Sequence, residues 1–132
     1  MKTRKVKISE AEWEIMKILW HGNSENGFPL GDIVKELSSS QKWSYTTIRT
    51  LIVRLINKGA VRANTNTGVY RYYANITKDE CVQEEMHSFI SRIFDDSPSR
   101  FIATLINDKE IDESEREEIL KILSKFKDES QD

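Results

Sequence analysis

Residues 43–59 read Trp-Ser-Tyr-Thr-Thr-Ile-Arg-Thr-Leu-Ile-Val-Arg-Leu-Ile-Asn-Lys-Gly, and their hydrophobic pattern is typical of an amphipathic helix. Ser44 is the expected N-cap of this helix, and Gly59 is the expected left-handed residue after its last turn. Apolar side chains recur at helical spacing and predict a buried stripe. The stripe comprises Ile48, Leu51, Ile52, Leu55 and Ile56.

The opposite side of the same helix carries hydroxyls and cations but no carboxylate. An ordinary solvated helix face mixes Glu with Lys, so this composition indicates an anionic partner. Short hydroxyls allow close approach, and arginine supplies planar donors for phosphate or base edges. A helix of about 15 residues spans roughly 22 Å, enough to lie in the major groove of DNA. The residues on this side are Thr46, Thr47, Arg49, Thr50, Arg54, Asn57 and Lys58.

Two further helices are expected before this one. A capping box at 9–12 predicts a helix that runs to about Trp20 and is followed by a loop at 21–27. Pro29 suits the first position of a second helix, which the serines at 38–40 are expected to stop.

Two β-prone runs follow the third helix. Residues 60–63 and 69–73 are joined by turn-forming residues at 64–68, and this arrangement predicts a β-hairpin. Three helices followed by a hairpin is the order of a winged helix-turn-helix. The fold class is therefore mainly α with a small β-hairpin, and residues 1–75 are the expected DNA-binding domain.

Residues 76–132 predict three more helices, which begin at the capping box 77–80, at Ser97-Pro98 and at Asp112. So short a unit cannot bury its apolar stripes alone, which favours pairing with a second copy in a two-fold dimer. Folding back onto the first domain as a monomer is the alternative. The expected dimerisation residues are Phe89, Ile90, Ile93, Phe94, Phe101, Leu105, Ile119 and Leu123.

Charge is divided unequally along the 132 residues. Residues 1–75 contain 12 Lys and Arg against 6 Asp and Glu, a net of +6, while residues 76–132 contain 8 against 16, a net of −8. A basic N-terminal part and an acidic C-terminal part are typical of a chain that binds nucleic acid through its N-terminal half. The single cysteine, Cys81, and the absence of an apolar run near 20 residues predict a cytoplasmic protein without membrane insertion.

These residues resemble the BlaI/MecI repressors of penicillinase and methicillin resistance, a group that includes the copper-responsive CopY repressors. The resemblance is carried by residues 8–20, 43–55, Lys58-Gly59, Tyr72-Tyr73 and the three-helix tail.

The resemblance implies a homodimer that holds a palindromic operator, the double-stranded DNA site near a promoter, and blocks transcription. Helix three would read the groove, and Arg62 and Arg71 of the wing would hold phosphates. The implied DNA-binding residues of helix three are Ser44, Thr46, Thr47, Arg49, Thr50 and Arg54.

The resemblance also implies how repression ends. Members that respond to β-lactams are cut at an Asn-Phe bond after a membrane sensor protease detects the antibiotic. The corresponding position here is Thr104-Leu105, so the dipeptide departs from the family pattern. The copper-responsive branch instead binds Cu(I) through a cluster of C-terminal cysteines, and no cysteine occurs in residues 82–132.

The sequence gives less support to other classes of function. His21 and His87 lie in separate elements, and no spacing assembles a catalytic or metal-binding set, so we expect no enzyme, cofactor or metal site. Cys81 is expected to be an inert, partly buried thiol, and a redox-sensitive thiol is the alternative. A winged helix used only for protein contacts remains an alternative, although such a surface would expose aromatic and aliphatic side chains.

Overall fold

The computed structural model describes residues 6–22, 26–66, 68 and 70–130, and these form six helices and three short strands. The predicted loop residues 23–25 and the hairpin residues Thr67 and Val69 lie outside the described residues. In chain order the elements are α1 (Glu10–His21), β1 (Phe28–Pro29), α2 (Leu30–Ser40), α3 (Tyr45–Asn57), β2 (Val61–Asn64), β3 (Arg71–Ala74), α4 (Lys78–Phe94), α5 (Pro98–Ile106) and α6 (Glu113–Ser130).

The helix ends follow the capping residues in the sequence. In α1 the Ser9 amide donates to Glu12 Oε1 at 2.8 Å, and the Glu12 amide donates to Ser9 Oγ at 3.1 Å, so the predicted capping box is confirmed. Ser44 caps α3 by accepting from the Thr47 amide at 3.2 Å. Gly59 ends that helix with φ +82°, a conformation that L side chains rarely adopt.

The boundaries of α2 differ from the prediction at both ends. Pro29 is the N-cap and a strand residue, so its assignment to the first helical position is wrong. The serines at 38–40 lie inside the helix, which ends at Ser40, and the Ser40 hydroxyl donates to the Glu36 carbonyl at 3.0 Å. A serine that bonds the carbonyl four residues earlier can stay within a helix.

The predicted hairpin is part of a three-stranded antiparallel sheet with the order β1-β3-β2. β2 pairs with β3 so that Val61 faces Ala74 and Arg62 faces Tyr73, while Phe28 of β1 faces Tyr72. The first strand was not predicted, since two residues that include a proline give no strand signal.

Gly27 enters β1 with φ +64°, and a Cβ there would lie 2.8 Å from the Tyr73 ring. A glycine is therefore required where the chain passes over this ring.

The chain forms two compact units, residues 1–86 and 87–132. The first has a core drawn from α1, α2, α3 and the sheet, and it extends into α4 through the buried Cys81. The Trp20 indole N–H donates to the Ile76 carbonyl at 2.9 Å and ties α1 to the segment before α4. The division therefore falls inside α4, beyond the predicted boundary at 75/76.

The second unit is built around a cluster of three aromatic rings. Phe89, Phe94 and Phe101 lie with ring centroids 5.4 to 5.7 Å apart and join the end of α4 to α5. Arg116 of α6 donates to the carbonyls of Ile106 at 2.9 Å and Asp108 at 3.0 Å. These two bonds attach α6 to the end of α5.

Candidate nucleic-acid interface

The two sides of α3 differ in burial as the sequence predicts. Ile48 and Leu55 are fully buried, and Leu51 and Ile52 are at most 5% exposed. The opposite side faces solvent over the whole length of the helix, so the expected recognition surface is accessible. Its exposed residues are Thr46, Thr47, Arg49, Thr50, Val53, Arg54 and Asn57.

The two arginines lie on opposite flanks of this surface. At about 100° of rotation per residue, Arg49 and Arg54 are separated by about 140° around the helix. Neither guanidinium has a hydrogen bond or ion pair to any residue in the described ranges, so its donors face solvent. Both can therefore reach anionic groups on either side of the helix.

The first turn of α3 uses two of the predicted contact residues for capping. Ser44 Oγ accepts from the Thr47 amide and also donates to Thr47 Oγ1 at 3.1 Å. Both side chains are exposed, yet their hydroxyls already bond to one another. Thr46 and Thr50, one turn apart on the exposed side, have no such partner among the described residues.

Lys58 does not belong to the free cationic side of α3, where its position in the sequence had placed it. Its ammonium lies 2.6 Å from Glu12 Oε1 and donates to the Lys7 carbonyl at 2.8 Å. Glu12 is only 1% exposed. Burial raises the pKa of the Glu12 carboxyl, but hydrogen bonds from Lys58 and Ser9 outweigh it and hold the pKa below its ordinary 4.5. Lys58 therefore attaches the end of α3 to the start of α1.

The wing arginines lie on the same face of the sheet. Arg62 is exposed and its guanidinium sits 4.2 Å from the centroid of the Tyr73 ring, a cation-π contact that holds the side chain in place. Arg71 is half-buried and donates from Nη1 to the Asn26 carbonyl at 3.1 Å. Since a guanidinium has five N–H donors, Arg71 keeps others for a phosphate.

Three tyrosines, of which Tyr72 lies near Arg49, were not predicted as site residues. Tyr45 is 51% exposed at the start of α3, and Tyr70 is 60% exposed before β3. The ring of Tyr70 stacks on that of Tyr72, with centroids 6.4 Å apart and planes inclined by 15°. Burial raises the pKa of the Tyr72 phenol, while the positive charge of Arg49 opposes the rise. The only signal in the sequence was the presence of tyrosines at positions 45 and 70, beside the predicted helix and hairpin.

The expected dimerisation residues differ in exposure. Ile93 is 50% exposed and Leu123 is 41% exposed, whereas Ile90 is buried within the chain. Phe89 is exposed at 36% although it belongs to the aromatic cluster. Phe94, Phe101, Leu105 and Ile119 are half-buried.

The expected cleavage position lies inside α5. Thr104 is exposed and its hydroxyl donates to the Arg100 carbonyl at 2.8 Å, while Leu105 is half-buried. The peptide bond between them is therefore part of a helix, and a protease that binds extended substrate could reach it only after α5 unwinds locally.

No helix in residues 6–22, 26–66 and 70–130 is long and apolar enough to cross a membrane. In the same part of the chain, no three His, Cys, Asp or Glu side chains are grouped so that they could hold a metal ion. Burial raises the pKa of the Cys81 thiol to about 11, with a further contribution from Glu80.

Comparison with known proteins agrees with this geometry. The sequence pattern of the penicillinase repressor family matches residues 8–125. The chain belongs to the penicillinase repressor family. Membership in this family identifies it as a DNA-binding transcriptional repressor and not an enzyme. The predicted family and the winged-helix fold class are therefore confirmed.

Two relatives are similar over nearly all of the chain, and a solved structure is similar over its N-terminal part. The penicillinase repressor of Bacillus licheniformis is 32% identical over 120 residues, which are 91% of each protein. The methicillin resistance regulatory protein MecI of Staphylococcus aureus is 27% identical over 125 residues, 95% of this chain and 99% of MecI. The solution structure of the DNA-binding domain of the repressor BlaI superimposes with a TM-score of 0.50 at 37% identity, covering 60% of this chain and 93% of that domain.

Proposed function

We propose that this repressor acts in the cytoplasm as a homodimer that binds a palindromic operator and thereby regulates β-lactam resistance genes. Residues 1–75 supply the DNA-binding domain, which inserts helix 44–58 into the major groove and sets the wing against the backbone. Residues 76–132 supply the dimerisation domain. The observation that carries the proposal is the exposed side of α3, which holds hydroxyls and two unpaired arginines and no carboxylate.

The chemistry of this surface favours DNA over a protein partner. The core of a protein-protein interface is typically depleted of charged residues and enriched in aromatic side chains. Arg49 and Arg54 on opposite flanks can instead approach the two phosphate backbones that border a major groove, while the threonines between them face the base edges. Arg62, held by Tyr73, presents a further cation from the wing.

Binding to duplex DNA at increasing salt concentration tests the proposal. We expect log Kd to rise steeply with log salt, because each phosphate contact releases counterions. Arg49→Ala and Arg54→Ala should each weaken operator binding by about 1–3 kcal/mol, or roughly 5- to 150-fold, if the residue reaches a base. Arg92→Ala removes an exposed cation from α4 and serves as the control. The absence of binding at low salt would refute the proposal, and an unchanged affinity in both α3 variants would refute the roles of these arginines.

The second unit exposes enough apolar surface for a partner. Leu120, Ile122 and Phe126 of α6 are 48–66% exposed in addition to Leu123 and Ile93. Such a concentration of exposed large apolar side chains on one small unit marks an interaction site. A second copy of the same surface would bury it in a two-fold dimer.

Sedimentation of charge variants tests the dimer. Phe94→Asp and Leu123→Asp should give monomers, because an unpaired carboxylate cannot be buried at an apolar interface without a large cost. Ser114→Asp adds the same charge at an exposed position about 180° around α6 from Leu123 and should leave the dimer intact. An unchanged dimer in both test variants, with helix content retained, would contradict the proposed interface.

We further propose that repression ends by proteolysis at Thr104-Leu105 after a membrane sensor protease is activated by a β-lactam. Mass spectrometry of the repressor from antibiotic-treated cells should then find a fragment that begins at Leu105. A repressor that stays intact while its target genes are induced would exclude this mechanism. A Cu(I)-responsive mechanism like that of the CopY repressors is disfavoured, because the single cysteine is buried and has a raised pKa.

A further inference from the structure

Val53 occupies the middle of the exposed side of α3. It is 46% exposed, although valine is a poor helix former and gains nothing from contact with water. Thr46, Thr50, Val53 and Asn57 follow one another at positions i, i+4, i+7 and i+11 and form a single line along the helix. This line lies opposite the buried stripe of Ile48, Leu51, Ile52 and Leu55.

The line is bordered by the two arginines. At about 100° per residue, Arg49 lies about 40° to one side of Val53 and Arg54 about 100° to the other. When a helix sits in the major groove, its flanks approach the phosphate backbones and its central line faces the base edges. Arginines on both flanks therefore place Val53 towards the floor of the groove.

Only one base presents an aliphatic group to the major groove. Thymine carries a C5-methyl there, whereas the other edges are hydrogen-bond donors and acceptors that a valine cannot satisfy. Val53 is the one exposed aliphatic residue in α3, all of whose residues are described. Facing a polar base edge, it would remove water from that edge without replacing its hydrogen bonds.

We propose that Val53 is a specificity-determining residue whose γ-methyl groups contact the C5-methyl of a thymine in each half-site and thereby select a T·A pair at that position. The proposal rests on the proposed binding of α3 in the major groove. It assigns to the helix an apolar contact beside the hydrogen-bonding contacts of the threonines and arginines.

The experiment pairs two deletions of methyl groups, one on each side of the contact. A tight-binding duplex is first selected from a randomised DNA library with the purified full-length repressor. Each thymine of that duplex is then replaced in turn by deoxyuridine, which lacks only the C5-methyl. Kd is measured for wild type, Val53→Ala and Val82→Ala on every duplex. Val82 is the matched control, since it is a valine in α4 that is 43% exposed.

At one thymine in each half-site, the effect of removing the C5-methyl on Kd should depend on whether residue 53 is valine or alanine. For wild type and Val82→Ala, its replacement by uracil should weaken binding about fourfold, the effect of about one buried methyl group. For Val53→Ala, which has lost the partner methyls, the same replacement should change Kd by less than about 1.5-fold, because the coupling has disappeared. Alanine is the better helix former, so α3 is expected to stay folded, and circular dichroism checks this.

Two negative outcomes are distinguishable. A duplex that binds tightly but contains no thymine whose uracil effect depends on residue 53 would overturn the role of Val53 and leave DNA binding by α3 intact. If no duplex is enriched and none binds at low salt, the proposed function fails, and the role of Val53 fails with it.

Discussion

The ion pair between Lys58 and Glu12 offers a direct test of how α3 is held against α1. Lys58→Met keeps the length and the apolar stem of the side chain but removes the ammonium. Glu12, 1% exposed, would then retain the bond from the Ser9 amide while its main charge partner is lost. We expect the free energy of unfolding of the first unit to fall by about 3 kcal/mol.

This magnitude follows from the geometry. Opposite charges 2.6 Å apart attract by roughly 6 kcal/mol at an effective dielectric constant near 20, before the cost of dehydration is subtracted. Removing one partner of a buried pair typically costs about 3–5 kcal/mol, because the remaining charge stays dehydrated. The Lys58 side chain is 38% exposed, so solvent screens part of the attraction and the low end of this range applies.

Urea unfolding followed by tryptophan fluorescence measures the effect in the relevant unit, since Trp13, Trp20 and Trp43 all lie within residues 1–86. Lys17→Met is the control, because Lys17 pairs with Glu14 at 3.0 Å on the surface and should change stability by less than about 0.5 kcal/mol. A double variant, Lys58→Met with Glu12→Gln, should recover part of the loss. If Lys58→Met and Lys17→Met unfold at the same urea concentration, the ion pair does not stabilise the attachment of α3 to α1.

Three further outcomes are expected. The pKa of Glu12 is lowered on folding, so the carboxylate stabilises the folded state fully above pH 4.5. This contribution is lost as the pH falls through the lower folded pKa. Acid unfolding curves of Glu12→Gln should lack this component. Gly59→Ala should cost about 1–2 kcal/mol in thermal unfolding because φ is +82°, whereas Gly31→Ala inside α2 should stabilise by about 0.5 kcal/mol, and equal effects would exclude backbone strain at Gly59. With a pKa near 11 and a 2% exposed side chain, Cys81 should resist alkylation by iodoacetamide at pH 8 until urea unfolds the first unit, and rapid labelling of the native protein would contradict its burial.

Features set by neighbouring residues were predictable from the sequence. The capping box of Ser9 and Glu12, the N-cap Ser44 and the left-handed Gly59 depend on residues at most a few positions apart, so their spacing carries the information. The two sides of α3 follow from helical periodicity in the same way.

Features set by distant pairing were not predictable. Lys58 resembles other surface cations until its partner Glu12 is known, and β1 exists only because Phe28 and Pro29 lie beside Tyr72 and Arg71. The place where the first core ends depends on Cys81 joining that core, and no local pattern indicates which core buries this thiol. The contacts of the individual site residues with bases and phosphates stay predictions.

The separate cores of the two units bear on what a proteolytic fragment could still do. A fragment that ends at Thr104 keeps every buried residue of the first unit, including Cys81, and loses the whole of α6. Its binding to a single half-site should survive. The effective concentration that a tethered second DNA-binding domain supplies would be lost. Cutting at this bond would then abolish avidity without unfolding the first unit, and each separated DNA-binding domain would leave the operator by simple dissociation.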